Sequence, residues 1–151
     1  MIITLRHTAI ALLLLSGGAW ASEGGLPVSP APENARVYFI SPQDGDVVDS
    51  TFTVVFGLAG MGVAPAGVEQ KHTGHHHLLI DVDADSVDRR MPLPMTDNIR
   101  HFGGGQTQTE VTLPPGEHTL QLVLGDHLHI PHDPPVTSEI ITITVRGDDA
   151  M

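Results

Sequence analysis

Two short stretches of this chain carry most of the side chains able to do chemistry. Asp126-His127-Leu128-His129-Ile130-Pro131-His132-Asp133 sets three imidazoles and two carboxylates close together, directly after the alternating run His118-Thr119-Leu120-Gln121-Leu122-Val123-Leu124. Gly74-His75-His76-His77 opens a second apolar run, Leu78-Leu79-Ile80. Neutral imidazole suits Zn, Cu and Ni, and a neighbouring carboxylate fixes the tautomer of a ligating ring. His75 and His77 share a strand face through the two-residue period, as do His127 and His129 if the strand before them continues that far. The candidate metal set is therefore His75, His77, His127, His129, His132 and His101, with Asp126 or Asp133 orienting a ring or completing the sphere. The ion expected is copper or zinc.

Each piece also has a plainer reading. His76 shares a face with Leu78, Ile80 and Val82 and is expected in the core, bonded to backbone. His118 heads the Leu120-Leu122-Leu124 ladder and is expected to be structural. His132-Asp133-Pro134-Pro135 reads equally as a rigid loop with Asp133 capping amides. Asp81-Val82-Asp83-Ala84-Asp85 resembles the start of a calcium loop, but Ser86 takes the glycine position and Pro92 stands where the bidentate Glu belongs. Met61, Met91 and Met95 offer thioethers to Cu(I), though filling gaps in a core is the commoner use of Met. Gly103-Gly104-Gly105 lacks the Lys and the helix of a phosphate cradle.

The elements that must position these residues are strands. The start Met1-Ile2-Ile3-Thr4-Leu5-Arg6-His7, the apolar run 9–15 and Ala19-Trp20-Ala21 have the form of a secretory signal peptide cleaved after Ala21. The run is far shorter than the roughly 20 residues that span a bilayer. Residues 22–35, rich in Pro, Gly and Ser, read as a flexible linker. Residues 36–147 form one domain and 148–151 a polar tail. A periplasmic or secreted location follows from the signal peptide. There is no cysteine, which excludes disulfides, thiolate metal sites and thiol catalysis. The 7 Lys and Arg are scattered among 18 Asp and Glu, so nucleic-acid binding is disfavoured. The partners expected are a metal ion or a periplasmic protein, with no membrane span after cleavage.

Strands are expected at 36–40, 51–57, 75–82, 107–113, 117–125 and 138–146. Residues 58–73 read as a loop, and the irregular stretch 83–106 has room for one short edge strand. Strands 107–113 and 117–125 read as a hairpin around Pro114-Pro115-Gly116. About seven short strands without helical periodicity predict an all-β, antiparallel immunoglobulin-like sandwich, with an eight-stranded barrel as the alternative.

The runs Thr73-Gly74-His75-His76-His77-Leu78-Leu79-Ile80-Asp81, His101-Phe102-Gly103-Gly104-Gly105-Gln106-Thr107, Pro115-Gly116-Glu117-His118-Thr119-Leu120-Gln121-Leu122 and 126–136 resemble the bacterial family named domain of unknown function 4399. The resemblance covers roughly residues 37–145. It implies exported proteins with one small domain and brings no activity with it.

In immunoglobulin order the strands are A (36–40), B (51–57), C (75–82), E (107–113), F (117–125) and G (138–146). C and F are then antiparallel neighbours, so the start of C lies beside the end of F. The two histidine clusters converge there, with His72 and His132 in the flanking loops, His101 returning to the same end and His118 at the opposite one. Three functions are open. The first is a metal-binding module for sequestration or transfer; the second is a structural or interaction domain of the cell envelope without metal. The third, a metal-dependent hydrolase-like enzyme, requires a vacant coordination position, and there is no G-x-S-x-G or H-E-x-x-H signature. Metal binding is expected to weaken as pH falls through the imidazole range near ~6.5.

Overall fold

A computed structural model describes residues 26–147. The signal peptide expected at 1–21, the first residues of the expected linker and the expected tail at 148–151 lie outside the described residues. The strands are β1 (Arg36–Ser41), β2 (Val47–Val48), β3 (Thr51–Ala59), β4 (Gly62–Val63), β5 (Thr73–Ile80), β6 (Ile99–His101), β7 (Gln108–Thr112), β8 (Gly116–Gly125) and β9 (Ile141–Val145). One short 3-10 turn at Ala84–Ser86 is the helical content of the described residues.

Two sheets form rather than a closed barrel. One has the order β1-β3-β7, the other β2-β9-β8-β5-β4, with β6 also paired to β5. Expected strands A, B and E thus make one sheet and G, F and C the other, an immunoglobulin-like sandwich. β5 and β8 run antiparallel, with His75 opposite Gly125 and Leu78 opposite Leu122.

Alternation in the long strands decides which side chains meet between the sheets. Leu78, Ile80, Leu120, Leu122, Leu124, Ile141 and Ile143 from one sheet pack against Val37, Phe39, Val54, Phe56 and Val111 from the other. The six residues expected in the core, Leu78, Ile80, Leu120, Leu122, Ile141 and Ile143, are all buried. His76 joins this layer fully buried, its ring 5.0 Å from that of Phe56. The backbone bond expected for it is not made, since neither ring nitrogen has a partner.

Several expectations need correction. β7 and β8 do not form a hairpin: β7 pairs with β3, and β8 with β5 and β9. The Pro114-Pro115 corner carries the chain from one sheet to the other, and His118 Nε2 lies 3.0 Å from the Pro114 carbonyl across that corner. The loop 58–73 contains β4, which adds in parallel to the start of β5. The strand expected at 138–146 begins only at Ile141, because the Ser138 hydroxyl, not a carbonyl, accepts the Leu122 amide and interrupts the ladder. β5 ends at Ile80 because Asp81 turns into the left-handed region with φ 56°.

The outer face of the second sheet is not left to water. Leu79 of β5, Val123 of β8 and Ile99 of β6 form a smaller apolar cluster, covered by Ala84 and Leu93 from the stretch between β5 and β6. That stretch reads as irregular in sequence because it is a cover layer, held by a few buried side chains rather than by a ladder. The linker is partly tied down as well: the Ala31 amide donates to the Asp133 carbonyl and the Asp133 amide to the Ser29 carbonyl.

Candidate metal centre

The period of two places His75 and His77 on the face of β5 opposite Leu78 and Ile80, alongside Leu79. Both rings are essentially inaccessible to solvent. β6 brings His101 into register with His77 across the adjacent ladder. The fourth ring comes from the loop after β8. That strand stops at Gly125, and residues 126–130 close a tight loop in which the Asp126 amide donates to the Ile130 carbonyl.

Asp126 organises this loop. Its Oδ1 accepts the amides of Leu128 and Ile130, at 2.9 and 3.0 Å, and its Oδ2 accepts the Ser29 hydroxyl at 2.8 Å. A short polar side chain satisfying local amides is what lets such a turn form in place of continued strand. His129 is held at φ 67° by this arrangement, its carbonyl accepting the Leu93 amide at 2.9 Å. Its ring points back over β5, with Nδ1 3.0 Å from His75 Nε2.

His75, His77, His101 and His129 each offer one ring nitrogen, and the four atoms lie within 4.8 Å of one another. The ring centroids of His75 and His77 are 4.8 Å apart, and those of His101 and His129 are 4.5 Å apart. Two glycines make room. A Cβ on Gly125 would stand 2.6 Å from His77 Cε1, and one on Gly103 would stand 2.4 Å from His101 Cε1.

The candidate set named from sequence divides accordingly. His75, His77, His101 and His129 come together; His127, His132 and Asp126 do not join them. The strand face expected to pair His127 with His129 ends at Gly125, so His127 turns toward the cleft lined by Val68, His72 and Lys71. His132 is buried, with its ring nitrogens each 3.2 Å from the carbonyls of Leu124 and Thr73. Asp126 spends its oxygens on the loop amides and the Ser29 hydroxyl. Asp133 is exposed, and its backbone, not its carboxylate, makes the bonds to residues 29 and 31. The cluster also lies on the outer face of the sheet, near the end where the clusters were expected to meet, and not among the loop tips. Gly103, Gly125 and the Ser29 contact were missed, since each acts through a neighbour that only the register reveals.

Burial and mutual repulsion favour the neutral form of His75, His77 and His101. Burial pushes His75 down to about 4, with repulsion from His129 and His101 adding to the effect and Asp126 opposing it. Burial pushes His77 down to about 2, helped by His75, His101 and His129. His101 is lowered too, by burial and by His129. A neutral imidazole keeps the lone pair that a metal needs.

His118 and His132 each have both ring nitrogens within hydrogen-bond distance of an oxygen. In the cluster, His75 Nδ1, both nitrogens of His77 and His101 Nε2 are buried with no partner. A buried polar atom left unpaired costs roughly 1–3 kcal/mol. His118 and His132 thus face oxygens with both ring nitrogens, whereas the clustered rings, like the core ring of His76, hold buried nitrogens without a partner.

The profile of one protein family, described as a domain of unknown function (DUF4399), matches residues 54–146. The chain belongs to this family. The matched stretch of the DUF4399 protein includes all four clustered histidines. No curated protein matches it. Among solved structures, the PKD domain of human KIAA0319 is similar at 10% identity over 89% of this chain and 96% of that one, with a TM-score of 0.39. No helix among the described residues is long and apolar enough to cross a membrane.

Proposed function

We propose that this DUF4399 protein is an exported module that binds one copper or zinc ion through His75, His77, His101 and His129, for sequestration or transfer. The observation that carries this reading is the set of four imidazoles, two of them fully buried, whose ring nitrogens gather within 4.8 Å and include buried atoms without a partner on His75, His77 and His101. A tetrahedral zinc centre with Zn–N bonds of roughly 2.0–2.1 Å needs four such donors and nothing else. Ring rotations at His101 and His129, the two rings that are not fully buried, supply the remaining contraction.

Four protein ligands close the coordination sphere. A hydrolytic centre keeps a position open for water, so the full set favours holding an ion over activating one. The acidic balance, 18 Asp and Glu against 7 Lys and Arg, favours approach of cations generally. A metal-free structural domain of the cell envelope is the reading that must be separated from this one.

Calorimetry with Zn and Cu(II) on untagged protein at moderate salt makes the separation. Wild type is expected to bind one ion saturably, and His77→Ala and His129→Ala to lose tight binding. His118→Ala should keep it, because that ring is engaged with Asp81 at the opposite end of the strands. Equal affinity in all four proteins, or no saturable binding in the wild type, would overturn the proposal and leave the structural domain.

A further inference from the structure

Met91 and Met95 stand out among the apolar side chains. Methionine commonly fills irregular gaps in cores, and Met61 does so here, packed against the main cluster. Met91 and Met95 are instead 52% and 73% exposed. They bracket Pro92-Leu93-Pro94, whose central residue is anchored: Leu93 is 4% exposed and packs with Leu79, Ile99 and Val123. The Leu93 amide also donates to the His129 carbonyl at 2.9 Å. Each methionine is two residues from that anchor, so its Cα lies within about 7 Å of the Leu93 Cα. Two prolines limit how the segment bends. The anchored Leu93 thus holds two solvent-facing thioethers beside the loop that carries a ligand of the four-histidine cluster.

We propose that Met91 and Met95 form a landing for Cu(I) that passes the ion to the four-histidine site. This rests on the metal-binding reading and narrows it: the ion delivered is copper, in its reduced state. Thioether is a soft, neutral donor that selects Cu(I) over Zn(II). The transfer is ligand exchange, with no change of oxidation state.

The test follows transfer anaerobically from the coloured Cu(I) complex of bathocuproine disulfonate, with zinc uptake from a chromophoric chelator run in parallel. Wild type is compared with the double variant Met91→Leu/Met95→Leu, which keeps apolar bulk and removes sulfur from two exposed sites. Cu(I) transfer should slow severalfold in the variant, while final copper occupancy and the rate of zinc uptake stay unchanged. Ag(I), a diamagnetic stand-in for Cu(I), should move the methyl carbon resonances of Met91 and Met95 before that of Met61. Equal Cu(I) transfer rates in the two proteins would overturn the landing while leaving the histidine site intact. A wild type that takes up neither metal would overturn both. Slowing of copper and zinc alike would show that the loop serves folding or protein docking, and would overturn the thioether role.

Discussion

Gly125→Ala tests the site without touching a ligand. Gly125 faces His75 across the β5–β8 ladder, and a Cβ there would lie 2.6 Å from His77 Cε1 and 3.0 Å from His77 Nδ1. Carbon atoms rest at roughly 3.5–4.0 Å, so the imidazole must retreat by about 1 Å. Metal–ligand distances tolerate only about ±0.2 Å, and the His77 ring already has those of His75, His101 and His129 within 5.9 Å. The backbone at Gly125 is not in the left-handed region, so the effect is steric. Overpacking of this kind costs typically ~1–3 kcal/mol of stability. Disturbing the support of a ligand typically lowers metal affinity by roughly 10–100-fold. The assay is zinc calorimetry with urea denaturation of the metal-free protein. Gly147→Ala, where a Cβ meets nothing within 4 Å, is the control. An unchanged zinc affinity in Gly125→Ala would show that His77 does not occupy the site as described.

Three further outcomes are expected. Leu122→Ala, truncating a fully buried side chain between the sheets, should cost roughly 2–5 kcal/mol; an unchanged urea midpoint would refute the packing. In contrast to the loss expected from the sequence, His75 and His77 should contribute no fall in zinc affinity near the ordinary imidazole value of ~6.5, because burial and mutual repulsion hold them at about 4 and about 2. Ring resonances of His75 or His77 in the metal-free protein titrating already at about pH 6 would contradict this. At His118 burial works to lower the pKa, but the hydrogen bonds to Asp81 and Pro114 prevail and raise it. Its contribution to stability is therefore fully present below the unfolded value of ~6.5 and fades as pH rises through the higher folded one. His118→Asn should be more destabilising at about pH 5.5 than at about pH 8.5, and the reverse order in denaturation curves would contradict the assignment.

The sandwich was legible because its cues are local. Alternation in residues 117–125 and 141–145 shows a buried face directly, and a six-residue apolar ladder has few other places to go. His75 and His77 were legible for the same reason. His129 and His127 were not separable, because the choice depends on where β8 stops. That point is set by the Asp126 side chain capturing the amides of Leu128 and Ile130. The partnership of His101 with His77 rests on a three-residue strand whose own sequence carries almost no strand signal. The switch from hairpin to sheet crossover at Pro114-Pro115 depends on which sheet needs a partner, a property of the whole domain. The glycines that make room for His77 and His101 have meaning only once the register is known.

X-ray absorption at the metal edge of the one-to-one complex tests the central claim most directly, since it counts the donors around the ion. Four nitrogen donors at about 2.0–2.1 Å, with the outer-shell scattering of imidazole rings and no loss of that pattern in His118→Ala, is the expected result. A spectrum dominated by oxygen donors without imidazole scattering would contradict the four-histidine centre.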